Sequence, residues 1–235
     1  MAGDKARRAV LFDIGGPIDL EVASERAIDA DLRAALAAEG IAVDDGGYAE
    51  AERQAVASFA PNAYQAMLWS LCGGDRERAE RAWARVVAAG EGRPRRFQLR
   101  SGIDRLLADL AGRGVRLGLV ANQPAAVLAD LQASGIAGVF GDLSVSGTTG
   151  LRKPDPRLFL HACAALAVEP ADCIMVGDRI DNDIAPAQLL GMAAIRFRTG
   201  RHAGQQPRSW REVPDAEVED VAGLARAIDR LLVGA

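Results

Sequence analysis

The chain has 235 residues, 49% of them apolar and 26% charged, with a net charge of −4. That length can bury a substantial core, either as one large domain or as a domain carrying an insert. The acidic balance gives no footing to nucleic-acid binding or to a membrane surface, both of which favour basic faces.

The first eight residues, Met1 to Arg8, carry no apolar leader, and no apolar run anywhere reaches membrane-spanning length. A cytoplasmic protein is the simplest expectation. Ala9 to Phe12 is a short apolar run that stops at Asp13, followed by Ile14-Gly15-Gly16-Pro17. This pattern predicts a buried strand ending in a loop. From Glu21 to about Gly90 the character changes to alanine-rich segments with helical spacing. They are broken at Gly40, Asp44 to Gly47, Pro61 and Gly73-Gly74. The pattern predicts about four helices and no strand. Tyr64, Trp69 and Trp83 are expected to pack inside this helical block. The arginine cluster from Arg93 to Arg100 offers positive charge to an anionic substrate, but reads first as a solvated connector.

Beyond the connector, strands and helices alternate. Helices are expected over 102–113, 125–134, 156–167, 183–190 and 218–232. Strands are expected over 116–121, near 143–146, and over 173–176 and 193–197. The stretch 200–214 reads as a long surface loop. Repeated strand–helix units imply an α/β fold with a parallel sheet covered on both faces. The expected organisation is a Rossmann-like core of residues 1–18 and 95–235 interrupted by an all-helical domain, 19–94. Cys163 and Cys173 lie in apolar surroundings and read as buried small hydrophobes; with Cys72 they show no metal-ligand spacing.

Open parallel sheets bind ligands beyond the carboxyl ends of their strands. Asp13, Asn122 and Asp178 all fall at such ends, and Lys153 falls in the loop before a helix. Lys153 is one of only two lysines in the chain, against 26 arginines. A compact, movable ammonium is not interchangeable with a planar guanidinium. Asp13 and Asp178 on adjacent strand ends repel each other unless a cation lies between them. Mg²⁺ fits best, since it takes oxygen ligands and often uses one or two carboxylates plus substrate phosphate. In this arrangement Asp13 can also act as nucleophile on phosphorus. Lys153 neutralises charge on Asp13 and on the transferring group. Asp183 holds the lysine or a metal-bound water, and Asn122 presents its backbone N–H or side-chain amide to the anion. Asn122 serves equally well as a helix N-cap on the sequence alone.

The ordered set is a strand ending in Asp13, a strand ending at Asn122, Lys153-Pro154-Asp155-Pro156, and Gly177-Asp178 followed by Asp183. It resembles the haloacid dehalogenase-like hydrolase superfamily over essentially the whole chain, and the helical insert resembles that superfamily's C1 cap. The resemblance implies a Rossmann-like core, Mg²⁺, and most often hydrolysis of a small phosphorylated metabolite through a covalent aspartyl intermediate. The expected state is a monomer or a homodimer, between which the sequence does not choose.

Two departures matter. Phosphatases of the family usually carry Asp-x-Asp-Gly-Thr where this chain has Asp13-Ile14-Gly15-Gly16-Pro17, so the general acid is replaced by Gly15. The Gly15 backbone carbonyl can still ligate Mg²⁺, because that contact needs no side chain. The usual Ser or Thr of the second motif is Ala121. Losing a general acid costs roughly 10²–10⁴ in rate where the leaving group needs a proton. The expectation is therefore a slow phosphatase, or one suited to good leaving groups such as acyl, aryl or anomeric sugar phosphates. Asp19 and Glu21 stand nearby in sequence as replacement acids. Three alternatives compete. A 2-haloacid dehalogenase attacks carbon and needs no metal. Phosphonate cleavage needs a lysine in the cap, and none occurs between Asp19 and Arg100. A non-catalytic phospho-ligand or partner-binding protein is favoured by Gly15 and Ala121 and opposed by the retained Asp13, Lys153 and Asp178.

Overall fold

The computed structural model describes residues 8–94 and 96–233; residues 1–7, 95, 234 and 235 lie outside it. The chain divides into two compact units, Glu21–Arg96 with Gly204–Gln206 forming one and the remainder forming the other.

The helical unit contains α1 (Val22–Ala38), α2 (Asp45–Ala57), α3 (Ala63–Leu71) and α4 (Arg76–Gly90). Its breaks follow from the sequence. Asp44, Asn62 and Asp75 each cap the next helix by accepting a backbone N–H, from Gly47, Gln65 and Arg78 respectively. Gly40, Gly73 and Gly74 adopt the positive φ that ends the preceding helices. The core is built largely from alanines around Leu32, Leu36, Met67, Leu68 and Val86, with Tyr64 and Trp83 packed against it. Trp69 departs from the expectation. It is 51% exposed and borders, with Gln65, Arg76 and Trp83, a surface cavity of about 460 Å³. The connector is not uniformly solvated either, since Arg93 pairs with Asp31 of α1 at 2.7 Å.

In the other unit, β1 (Ala9–Phe12) leads out to the helical insert. The chain returns through α5 (Ile103–Gly112), β2 (Arg116–Ala121), α6 (Val127–Ala133), β3 (Asp142–Val145), α7 (Ser146–Thr149) and α8 (Pro156–Ala165). It continues through β4 (Cys173–Gly177), α9 (Ala185–Leu189), β5 (Ala193–Phe197), β6 (Ala216–Val218) and α10 (Val221–Val233). The six strands form one sheet in the order β3-β2-β1-β4-β5-β6. Every neighbouring pair is parallel. The strand period of two sends Val10, Phe12, Ile174 and Val176 to one face, where α5, α6 and α10 cover them. Ala9, Leu11, Cys173 and Met175 face the other way, under α8 and α9. A sheet buried on both faces explains why these strands are runs without polar alternation. The Cys163 and Cys173 thiols meet in the second core, 3.7 Å apart.

Two local expectations are corrected. The stretch 200–214 is not one open loop, because it folds into short 3₁₀ turns, and β6 follows it directly. β6 is only three residues long and escapes a period argument. The helix expected to start at Asp183 is preceded by a π-turn over Ile180–Ile184, and α9 begins at Ala185. Such turns insert one extra residue and often mark functional positions.

Candidate active site

β1 lies at the centre of the sheet, with β2 and β4 on either side, and the strand order reverses there. Its carboxyl end is thus the switch point at which open α/β sheets form a crevice. Asp13 follows β1, Asn122 follows β2 and Asp178 follows β4.

Lys153 comes from the loop before α8 and is fully enclosed. Its Nζ lies 2.8 Å from Asp13 Oδ1 and 2.6 Å from Asp183 Oδ1. Burial, the largest influence, pulls the ammonium down, but Asp13 and Asp183 together outweigh it and hold Lys153 above the ordinary lysine range. Asp183 has no exposed surface. Burial raises its carboxyl to about 6 against the opposing pull of Lys153. Its second oxygen accepts the Arg179 backbone N–H at 2.9 Å, the bond around which the π-turn closes.

Gly177 is required by the same packing. A Cβ on it falls 2.3 Å from Asp183 Cγ and 2.4 Å from Asp183 Oδ2. Gly177→Ala is therefore expected to destabilise the protein by about 3 kcal/mol or more and to lower activity with it. A thermal melt unchanged to within a degree would contradict this packing.

Asp13 Oδ1 accepts the Ile14 N–H at 2.8 Å and meets Lys153. Among the described residues no donor reaches its Oδ2, and the side chain is 13% exposed. One oxygen is thus oriented and the other is uncommitted. Asn122 is not a helix cap: α6 begins five residues later, with Ala126 at the cap. Its amide instead grips the Lys153 backbone, accepting the N–H at 2.8 Å and donating to the carbonyl at 3.0 Å. The contact Asn122 offers an anion is therefore limited to its second amide hydrogen and its backbone N–H. Asp19, considered as a replacement acid, is 2% exposed and accepts the Gln98 N–H at 2.9 Å. It pins two chain segments together.

Asp13, Asp178 and Asp183 each offer an oxygen within 4.8 Å of the others. Three clustered carboxylates against one ammonium form a hard, oxygen-only donor set of the kind Mg²⁺ takes. The sequence reading missed Arg196, whose guanidinium is 1% exposed. It pairs with Glu217 at 3.0 Å and donates to the carbonyls of His202 (2.9 Å) and Asp178 (3.4 Å). One charged residue in the otherwise apolar strand Ala193–Phe197 was the available signal.

His202 shows a related effect of burial. Among the described residues its Nδ1 has no hydrogen-bond partner. Burial and then the charge of Arg179 hold the imidazole down to about 3, against 6.5 for a free histidine. Between those values the unfolded chain binds a proton that the folded chain refuses. Stability present above pH 6.5 is therefore lost as the pH falls towards 3. His202→Gln is expected to flatten the loss of stability with acidification by at most a few kcal/mol, read as a shallower fall of Tm. Parallel pH–Tm curves for variant and wild type would contradict it.

The haloacid dehalogenase-like hydrolase model matches residues 7–191, and the chain belongs to that family. It is 38% identical over 85 residues to the glyceraldehyde 3-phosphate phosphatase of Methanopyrus kandleri, covering 36% of each protein. It is 34% identical over 128 residues to the phosphoserine phosphatase of Thermus thermophilus, covering 54% of this chain and 50% of that one. The chain thus spans half or less of the length of these relatives. The crystal structure of a 2-haloacid dehalogenase from Pseudomonas syringae superposes with a TM-score of 0.59 at 25% identity, covering 95% of this chain and 99% of that one. Among the described residues no helix is long and apolar enough to cross a membrane.

Proposed function

We propose that this chain is a Mg²⁺-dependent phosphatase of small phosphorylated metabolites that works through an aspartyl-phosphate on Asp13, with the helical unit as a C1-type cap. The observation that carries the reading is the clustering of Asp13, Asp178 and Asp183 around Lys153, with Asp13 Oδ2 uncommitted. Asp13, Asp178 and the Gly15 carbonyl would hold Mg²⁺, which supplies positive charge to a phosphoryl group in the site. Asp183 supports Lys153.

In this reading Asp13 Oδ2 attacks phosphorus as the bond to the leaving oxygen breaks. Lys153, already paired to Asp13 Oδ1, orients the nucleophilic carboxylate and offsets charge gathering on the transferring group. Water then hydrolyses the acyl phosphate, returning Asp13 and releasing phosphate. No side chain at position 15 can protonate the leaving oxygen, so esters whose leaving group departs as a stable anion are favoured.

The phosphatase relatives and the retained acids support this reading over 2-haloacid dehalogenation, which uses an aspartate nucleophile without a metal. A panel of aryl, acyl and alkyl phosphates and a 2-chlorocarboxylate separates the two. We expect Mg²⁺-dependent phosphate release, fastest from aryl and acyl esters and abolished by EDTA. Chloride release that is indifferent to EDTA would replace the proposal with the dehalogenase. No release of either ion would favour a non-catalytic binding protein.

A further inference from the structure

Of the arginines at the re-entry of the chain into the sheet unit, Arg100 behaves unlike a solvated connector residue. Its backbone N–H donates to the Ile18 carbonyl at 2.8 Å. Its Nε donates to the Gly16 carbonyl at 2.7 Å, and Nη2 donates to Thr199 Oγ1 at 3.0 Å. The guanidinium lies 4.6 Å from the centre of the Phe197 ring at the end of β5. One side chain thus joins the turn after Asp13 to the end of β5.

That turn has little room of its own. Gly16 sits at φ +83°, and a Cβ there falls 3.0 Å from both Asp178 Cβ and Thr199 Cγ2. The Gly16 N–H donates to the Asp19 carbonyl at 2.9 Å, which fixes the peptide that carries the Gly15 carbonyl. The Arg100 bond fixes the next peptide. Two successive peptides are therefore held from outside, beside Asp178. Only a fork with its donors in a fixed plane can hold Gly16 and Thr199 together; a lysine offers one ammonium.

We infer that Arg100 is a positioning residue, which sets the Gly15–Gly16 turn against Asp178 and so fixes the spacing of the oxygens that hold the divalent cation. The inference rests on the phosphatase reading above and adds to it a residue outside the motifs.

Charge and geometry predict opposite results, which makes the test decisive. Removing a cation that acts on Asp178 tightens binding of a divalent ion if charge alone matters. Loosening the turn weakens it. The experiment is Mn²⁺ titration of the apo protein by electron paramagnetic resonance, without substrate, on wild type, Arg100→Lys, Arg100→Met and Thr199→Val. Each variant's fold is first checked by its thermal melt. We expect Mn²⁺ affinity to fall by about fivefold or more in both Arg100 variants and by a smaller factor in Thr199→Val. The Mg²⁺ concentration for half-maximal turnover should rise in the same order.

Equal or tighter Mn²⁺ binding by Arg100→Met overturns the inference and leaves the phosphatase reading standing. If that variant does not fold, unchanged affinity in both Arg100→Lys and Thr199→Val overturns it equally. A wild type that binds no Mn²⁺ and hydrolyses nothing overturns both readings.

Discussion

Asp13→Asn is expected to lower Mg²⁺-dependent turnover of an activated aryl phosphate by about 10³-fold or more, while the protein remains folded. An amide keeps the shape of the carboxylate and can still accept the Ile14 N–H, but it is a poor nucleophile and a weaker cation ligand. Stability should hold or rise, because the substitution removes one of three crowded negative charges. Steady-state kinetics beside a thermal melt distinguishes the outcomes. Equal rates in variant and wild type would remove Asp13 from the chemistry, and the phosphatase reading with it.

The second large effect concerns Lys153. Lys153→Met leaves Asp183 sealed in the interior without its cation, and breaking a buried pair from one side costs roughly 3–5 kcal/mol. For a chain of this length that corresponds to a drop in Tm on the order of 10 °C. Three controls separate this cause from simple loss of packing. Saturating Mg²⁺ should recover part of the deficit, since an ion that binds only the folded site stabilises it. Adding Asp183→Asn should also recover part, so that the two changes combine non-additively. Acidification should help as well. The Asp183 pKa is already raised to about 6 from 3.8, and losing Lys153 raises it further. The folded state then takes up a proton that the unfolded state does not, so the deficit shrinks as the pH falls through that range. A variant as stable as wild type at neutral pH would mean that the buried ion pair does not hold this site together.

The fold was legible where one rule acted alone. Five of the six strands were anticipated, four of them as largely apolar runs because both faces of the sheet are covered. The four helices of the insert were legible from their alanine-rich helical spacing and from the breaks between them. Legibility failed where long-range contacts decide. β6 owes its pairing to β5 and carries almost no period of its own. The π-turn at Ile180–Ile184 exists because Asp183 must reach both the Arg179 N–H and Lys153, a demand made by residues distant in sequence.

At the site, topology sufficed to foresee that Asp13, Asp178 and Lys153 would converge. It could not foresee what Asn122 does, because its partner is the backbone of a residue 31 positions away. Nor could composition separate Arg100 from its neighbours. The same residue type makes a solvated face, a pair with Asp31 or a clamp on Gly16, depending on what folds beside it.

The helical insert leaves the sheet unit at Leu20 and returns at Phe97, and the two ends are stitched together. The Leu20 N–H donates to the Gln98 carbonyl at 2.9 Å, and the Asp19 carboxylate accepts the Gln98 N–H. A host whose splice points already touch is indifferent to the length of what is threaded between them. The acids and the lysine all belong to that host. On the phosphatase reading proposed above, selection can rewrite the passenger without touching the reacting groups, so that one hydrolytic engine is refitted for successive esters.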